Sequence, residues 1–247
     1  MGVIYILWLR QLKRYIRSKS RIVGSIGQPL LFLVVLGFGF GPIYQKANGG
    51  NYMQFLAPGV IAMGILFTAV FSGIEIIWDR QFGFLKETLV APTRRINIMI
   101  GRTLGGATVA TIQGVVIFLI SLLAGFRPAI SSLPLALFFM FLIALLFTAL
   151  GTAIASLLND MQGFQLIMNF LIMPLFFLSG ALFPLDGLPK TLKIITSIDP
   201  LTYGIDGLRT AFLGVSHFGM AIDLLILGGL TALILIIGAY LFSKIQI

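Results

Sequence analysis

The 247-residue chain has no cysteine and only one histidine, His217. Without cysteine it forms neither a disulfide nor a thiolate metal site, and one histidine cannot build a histidine-based metal cluster. Charged residues make up only 10% of the chain, which is too little polar surface to cover a water-soluble domain of this size. We therefore expect an integral membrane protein without a metal site.

The chain also lacks the glycine–lysine pair on which a phosphate-binding P-loop depends. A loop that cradles the phosphates of ATP places its lysine directly after a glycine. No glycine precedes any lysine of this chain, namely Lys13, Lys19, Lys46, Lys86, Lys190, Lys193 and Lys244. We therefore expect no ATP hydrolysis by the chain itself, no catalytic residues and no cofactor of its own.

Long apolar segments dominate the sequence, since 58% of the residues are hydrophobic. A spanning helix needs about 20 apolar residues, and the segments recur at that length rather than at the shorter length of β-barrel strands. The sequence therefore predicts an all-α integral membrane protein with a single transmembrane domain over residues 1–247. Six spans are predicted, at about residues 22–44, 55–78, 98–124, 133–158, 164–185 and 220–243.

The basic residues predict how the spans are oriented. Six lie before the first span and four between the second and third, whereas the first and third loops hold one each and the fifth holds three. The positive-inside rule then places both termini and the segment 79–95 in the cytoplasm of a plasma-membrane protein. Because orientation accounts for the net charge of +9, we expect no nucleic-acid partner.

Ionisable residues are scarce in the middle of the predicted spans. Glu75 and Arg102 lie close to the cytoplasmic border, where they either pair with each other or extend to the interface. Ion-coupled carriers bind their ion with ionisable groups at mid-membrane depth. The span centres offer uncharged polar residues instead, namely Gln28, Thr108, Gln113, Thr148, Thr152 and Asn169. This pattern disfavours coupling to a proton or sodium gradient.

Residues 1–21 predict an amphipathic helix. The apolar residues at helical spacing are Ile4, Leu7, Trp8, Leu12, Tyr15 and Ile16, and the basic residues largely opposite them are Arg10, Lys13, Arg14 and Arg17. Such a helix lies in the headgroup plane with its basic side toward anionic lipid. The alternative is a basic tail that only sets the orientation of the chain.

Two pairs of glycines have the GxxxG spacing that lets helix backbones approach closely. They are Gly37 with Gly41 and Gly101 with Gly105. We interpret them first as packing sites within one subunit and second as a dimer seam.

The segment from Trp78 to Arg95 is a charged insert between two apolar segments. Phe82, Leu85 and Leu89 recur in it at helical spacing, and Pro92 ends the pattern because the residue before a proline disfavours helix. A short cytoplasmic helix with large exposed apolar side chains suits a groove on a partner protein. The alternative is a helix that rests on the membrane surface.

Residues 186–219 predict a pair of short helices on the outer side. Asp199 before Pro200 is an N-cap followed by proline at the first helical position, so a helix is expected from there through Arg209. Upstream, Pro189 opens a second short helix. The two helices either enter the bilayer as a re-entrant hairpin or lie flat on the outer surface.

Two strings of residues carry a resemblance to a known family. The string WDRQFGFLKETLVAPTRR, followed by Gly101 and Arg102 where relatives have Gly-Lys, is one, and PLFFLSGALFPLDGLPKTLKIITSIDPLTYGIDGLR is the other. Both resemble the permease (transmembrane) subunit of type-2 ATP-binding-cassette exporters, closest to the daunorubicin-resistance or multidrug type. The likeness covers nearly the whole chain. Asp199 stands where relatives often carry Asn, and both residues cap helices.

The resemblance implies one half of an exporter for an amphipathic drug-like molecule or lipid. Two six-span permeases, expected here as a homodimer, would pair around a path, and two separate cytoplasmic ATPase subunits with ATP and magnesium would drive it. The segment between the second and third spans would be the coupling helix, seated in a cleft of the ATPase, with residues 4–17 as the interfacial helix beside it.

The resemblance also assigns roles to individual residues. The expected coupling residues are Trp78, Asp79, Arg80, Gly83, Phe84, Leu85, Glu87, Pro92 and Arg95. Among them, Phe84 and Leu85 would be apolar contacts with the ATPase and Glu87 and Arg95 polar ones. The interfacial helix would contribute Trp8, Arg10, Arg14 and Arg17. The outer helices would narrow the exit with Pro184, Pro189, Asp199, Pro200, Tyr203, Asp206 and Arg209.

Two other functions stay open at this point. A membrane-embedded enzyme that modifies lipid would use Asp199, Asp206 and Arg209 as an outer site. The spacing of Asp206 and Arg209 argues against it, because residues three apart on a helix make an ordinary ion pair. An ion-coupled carrier is the other alternative.

Overall fold

The computed structural model describes residues 2–48, 50–85, 88 and 93–243, with the backbone alone at 21, 47, 48 and 243. Regular secondary structure in these residues is entirely helical, which confirms the predicted all-α fold. The helices are α1 (Val3–Arg17), α2 (Lys19–Asn48), α3 (Tyr52–Phe71), α4 (Ile74–Gln81), α5 (Arg95–Leu123), α6 (Leu133–Leu157), α7 (Met161–Leu178), α8 (Lys190–Ile198), α9 (Pro200–Leu213) and α10 (Met220–Ser243).

Six helical stretches are long and apolar enough to cross a membrane, as the sequence predicted. They are Ile22–Lys46, Tyr52–Gln81, Arg95–Leu123, Ile130–Leu157, Met161–Leu178 and Met220–Phe242. The fifth is shorter than the predicted span at 164–185. Its helix ends at Leu178 because Gly180 takes a left-handed conformation (φ +72°), which glycine adopts without steric cost.

The helix α3 forms the centre of the bundle. Every residue from Leu56 to Leu66 is buried, and α3 contacts α2, α5, α6, α7 and α9. A helix that is apolar on all sides is stable only where protein surrounds it. The position of α3 therefore follows from its composition, and its two ends are well placed to connect the two sides of the bundle.

The helices α3 and α4 form one rod with a short interruption. Ser72 and Gly73 between them keep right-handed helical dihedrals, and the Ser72 hydroxyl donates to the Ala69 carbonyl at 2.6 Å. Such bonds back to the preceding turn bend helices slightly. At 1.5 Å per residue, the stretch Tyr52–Gln81 is about 45 Å long, which exceeds a hydrocarbon core of about 30 Å. The rod is therefore longer than the hydrocarbon core is thick.

Glycines allow this rod to touch α6 through the backbone. A Cβ atom added at Gly73 would lie 2.3 Å from the carbonyl oxygen of Gly151, and one added at Gly151 would lie 2.3 Å from that of Val70. Small residues are typical of such contacts between membrane helices. The junction of α3 and α4 is therefore fixed against α6 with no side chain between them.

The two helices predicted on the outer side, α8 and α9, differ in their surroundings. The helix α9 is buried from Leu201 to Leu208, and Gly204 and Gly207 pack against Ile143 and Phe139 of α6. These α6 residues lie about two to three turns inside that helix, so α9 packs inside the bundle, and its re-entrant placement in the bilayer stays a prediction. The helix α8 instead leaves most of its residues exposed.

We expect Gly151→Ala to lower the free energy of unfolding by about 1–3 kcal/mol, because its methyl group has no space beside Val70. The matched control is Gly228→Ala, where a Cβ meets no atom within 4 Å and alanine favours helix. Thermal unfolding in detergent measures both. Equal midpoints for the two variants would show that the close contact is not as described.

Candidate functional site

A groove lies between α1 and the end of the rod at α4. Its volume is about 1080 Å³, and it is lined by side chains that include Tyr5, Arg10, Arg14, Arg17, Trp78 and Phe84. The helix α1 supplies most of the basic side chains, and α4 with the following turn supplies the aromatic side chains Trp78, Phe82 and Phe84. The groove therefore combines the two predicted cytoplasmic elements in one surface.

The buried carboxylate of Asp79 connects three helices at the base of this groove. It accepts a hydrogen bond from Arg102 of α5 at 2.5 Å and another from Arg10 of α1 at 2.7 Å. Arg14 of α1 lies 4.0 Å from Asp79 and 3.6 Å from Glu75, with its guanidinium 5.0 Å from the centroid of the Trp78 ring. A buried carboxylate needs such partners because losing its hydration is costly.

Glu75 and Arg102 do not behave as either sequence interpretation expected. Each is only 4% exposed, so neither side chain extends to a membrane surface. Arg102 pairs with Asp79, which lies one helical turn beyond Glu75. Both acids face the same side of α4, so the charged pair between these helices forms one turn further along than the sequence suggested.

Arg80 joins α4 to the end of α6 by hydrogen bonds. Its guanidinium donates to the carbonyl oxygens of Ser156 at 3.0 Å and Leu158 at 2.9 Å, and it also contacts the side-chain oxygen of Asn159. The last carbonyls of a helix lack partners within the helix and carry partial negative charge, so a cation stabilises them. The helix α4 is therefore bonded directly to the end of α6.

In the turn after α4, some apolar side chains are exposed and others are buried. Gly83 is left-handed (φ +80°), and the two residues after it, Phe84 and Leu85, are again helical. Phe82 is 68% and Phe84 52% exposed, whereas Leu85 is only 2% exposed. Leu85 therefore packs inside the chain, so its burial gives no support to the expected contact with a partner, which stays a prediction. Phe82 and Phe84 are the exposed aromatic side chains of this turn.

Part of the predicted coupling segment lies outside the described residues. Glu87, Leu89 and Pro92 belong to that part, so their predicted roles stay predictions. Thr88 is helical and donates its hydroxyl to the carbonyl oxygen of Phe84 at 3.1 Å. Arg95 begins α5 and is half-buried.

The helix α1 runs alongside α5 in the same direction. Trp8 donates to the Thr108 hydroxyl at 3.0 Å, and further along Tyr15 donates to the Gln113 side-chain oxygen at 2.7 Å. A Cβ at Gly101 would lie 3.1 Å from the backbone of Ile4, and one at Gly105 would lie 2.6 Å from Gln11. This GxxxG pair therefore packs α1 within one subunit. Arg17 is exposed, and the predicted place of α1 in the headgroup plane stays a prediction.

The predicted outer residues hold the segment around α8 and α9 together. Asp199 caps α9 by accepting from the Leu201 amide at 2.8 Å, which confirms the predicted cap, and Pro200 begins that helix. Tyr203 donates to the Ser197 carbonyl at 2.7 Å. Pro189 precedes α8, while Pro184 lies in the turn before it.

Asp206 and Arg209 do not form the ion pair expected from their spacing. The Asp206 carboxylate accepts from the backbone amides of His217 and Phe218, at 2.9 and 2.8 Å. Arg209 donates to the Gly180 carbonyl at 2.8 Å, with its guanidinium 4.0 Å from the centroid of the Phe55 ring. Both side chains are engaged in joining loops to helices, which gives no support to an enzymatic outer site.

Sequence reasoning missed one ionisable residue within the predicted spans, Asp223. This residue lies in the first turn of α10, is fully buried, and both of its carboxylate oxygens lack a hydrogen-bond partner among the described residues. The sequence signal was present, since residue 223 falls inside the predicted sixth span at 220–243. Its place near the end of that helix, rather than at the centre, keeps it away from mid-membrane depth.

We expect Asp79→Asn to lower the free energy of unfolding by about 3–5 kcal/mol, because it leaves Arg102 buried without a countercharge. Adding Arg102→Met should recover part of that loss, since no buried charge then remains. Thermal unfolding in detergent measures each variant, with Arg17→Ala as an exposed control. An Asp79→Asn midpoint equal to that of the control would contradict the structural role of the cluster.

The comparisons with known proteins agree with the resemblance found in the sequence. The family described as ABC-2 type transporter matches residues 2–213. The putative transport permease ycf38 of Cyanophora paradoxa is 33% identical over 214 residues, 83% of this chain and 72% of the relative. Nodulation protein J of Rhizobium leguminosarum bv. viciae is 30% identical over 197 residues, 79% of this chain and 76% of the relative. The inner membrane transport permease YadH of Escherichia coli (strain K12) is 26% identical over 213 residues, 85% and 82% of the two chains. The chain therefore belongs to the ABC-2 type transporter family.

Proposed function

We propose that this chain is the permease subunit of an ATP-driven exporter that moves an amphipathic drug-like or lipid substrate out of the cell. Separate cytoplasmic ATPase subunits, two per complex, would bind ATP and magnesium and supply the energy. Family membership and the name transport permease carried by two relatives support transport. The observation that carries the coupling proposal is the groove between α1 and α4.

The groove has the features of a docking surface. Phe82 and Phe84 are large apolar side chains left exposed at the end of a rod that is longer than the membrane is thick. Exposed apolar groups of this size favour burial in a cleft on another protein. The basic side chains of α1 beside them would favour an acidic rim on that partner.

The rod gives a physical path from this surface to the outer side. Beyond its interruption it reaches Tyr52, which donates to the Leu182 carbonyl at 3.1 Å, and Phe55, which stacks under Arg209 of α9. Phe84 follows the opposite end after the turn at Gly83. Displacement of the rod by an ATPase would therefore shift the turn before α8 and the position of α9 together.

A second copy of the chain would complete the proposed transporter. The helices α2, α7 and α10 leave most of their surface exposed, including the aromatic side chains Phe38 and Phe170. Lipid or another permease can cover such apolar faces. A homodimer would enclose a path between the two copies.

A cavity inside the bundle supports an amphipathic substrate. It measures about 270 Å³ and lies between α1, α2, α3, α4 and α5. Its lining mixes the polar side chains Gln28 and Thr68 and the acidic side chain Glu75 with the aromatic rings of Phe67 and Phe71. Such a mixture accommodates a molecule that has both apolar surface and a few hydrogen-bonding groups.

Replacing both Phe82 and Phe84 with alanine should reduce co-purification of the chain with its cognate ATPase by about tenfold or more, since a buried aromatic anchor contributes at least about 2 kcal/mol to an interface. Thermal unfolding should change little because both rings are exposed. The matched control is Phe40→Ala, an exposed phenylalanine on α2. Undiminished association of the double variant would refute the docking surface.

Arg80→Ala should separate docking from transport. The variant loses the bonds from α4 to the end of α6 but keeps Phe82 and Phe84, so we expect ATPase association to persist and ATP-dependent transport to fall about tenfold or more. The control is Gln81→Ala, which removes one exposed hydrogen bond to Asn159. Normal transport by a well-folded Arg80→Ala protein would show that the motion takes another route.

A further inference from the structure

A second groove lies on the outer side, between the last turns of α7 and the helix α8. Its volume is about 480 Å³. The apolar residues that line it are Phe170, Leu171, Pro174, Leu175, Leu178, Ile195 and Ile198. Pro200 and Asp199 complete the lining, and Asp199 is the only ionisable residue in it.

One oxygen of the Asp199 carboxylate has a structural role and the other has none. Oδ1 accepts from the Leu201 amide at 2.8 Å. Oδ2 is buried and has no hydrogen-bond partner among the described residues, and the whole residue is only 5% exposed. A buried carboxylate oxygen without a donor is costly. The wall of the groove therefore includes a residue with a buried, unsatisfied acceptor.

The neighbouring elements supply no countercharge to this oxygen. The helix α7 has no charged residue, and the charged residues of α8, Lys190 and Lys193, are exposed. On α9, Asp206 faces the amides of His217 and Phe218, and Arg209 is bonded to Gly180. Burial raises the pKa of the Asp199 carboxyl to about 7. The carboxylate is thus the main form above that pH and the neutral acid below it.

The chemistry of the groove indicates which class of molecule it binds. A divalent metal ion prefers several oxygen ligands, and the lining offers one free carboxylate oxygen. An anionic headgroup would be repelled by the carboxylate, and a purely apolar molecule would leave it unsatisfied. A protonated amine with a hydrophobic body satisfies the oxygen with a charge-assisted hydrogen bond and fills the apolar walls.

We propose that the groove between α7 and α8 binds amphipathic monocations, with the ammonium group paired to Asp199 Oδ2 and the hydrophobic body packed against α7. The proposal rests on the proposed export function in one respect: the bound amine would be a molecule that the transporter exports, held near the outer side. The binding site itself requires no ATPase, so it can be tested on the permease alone.

The experiment compares phenylbutylamine with its neutral isostere phenylbutanol by isothermal titration calorimetry on the purified full chain in nanodiscs. At pH 8 we expect the amine to bind about tenfold more tightly than the alcohol. Asp199→Asn should abolish this preference while the unfolding midpoint stays close to that of the original chain, because asparagine also caps helices. Asp186→Asn, which removes an exposed acid from the same outer segment, should leave the preference intact.

The pH dependence gives a second readout. With a pKa of about 7, the ionised fraction of Asp199 falls as the pH is lowered from 8 to 6, so amine affinity should weaken several-fold. The amine stays protonated over this range, and alcohol binding should not change. An amine affinity that is constant between these pH values would overturn the proposal.

Two further outcomes keep the test decisive. If Asp199→Asn fails to fold, Ile195→Trp fills the groove at an exposed edge and should abolish binding of both compounds, whereas unchanged binding would overturn the site. Equal preference for the amine in the original chain and Asp199→Asn would also overturn it.

ATP-driven transport with the cognate ATPase is measured separately. Its absence together with intact amine binding would contradict the export function and leave the site standing.

Discussion

The arrangement of the end of the bundle that holds α1 and α4 depends on the buried carboxylate of Asp79. In surroundings of low polarity an acid of this kind is stable only with close cationic partners, and here Arg10 and Arg102 come from two different helices. One side chain therefore fixes α1, α4 and α5 relative to each other. The aromatic residues Phe82 and Phe84 extend from the helix that this cluster holds in place. A partner bound there would act on a rigid unit rather than on a loose loop.

The same rigidity continues to the opposite side of the bundle. The α3–α4 rod contacts α6 through backbone at Gly73 and Gly151, and Arg80 adds charged bonds to the end of α6. At its other end, Phe55 packs against Arg209 of α9. Packed helices joined in this way move as units, because close-packed interiors do not deform continuously. The fold thus offers a mechanical connection between the proposed ATPase surface and the outer helices.

The features predicted correctly from the sequence are those encoded locally. Six apolar stretches of spanning length and the Asp199–Pro200 cap depend on neighbouring residues alone. Contacts between helices were harder to predict from the sequence. Glu75 and Asp79 lie one turn apart, and only the register between α4 and α5 decides that Arg102 meets Asp79. Periodicity likewise placed Leu85 on an apolar face but could not show that this residue packs inward.

The central claim is that the segment after α4 docks on an ATPase through its exposed face. Photocrosslinking from adjacent positions tests this most directly, with benzoylphenylalanine placed at Phe84 or at Leu85 in the chain assembled with its cognate ATPase. Phe84 is exposed and Leu85 is buried. The account predicts strong crosslinks to the ATPase from position 84 and few from position 85. Equal crosslinking from both positions, or none from position 84, would contradict it.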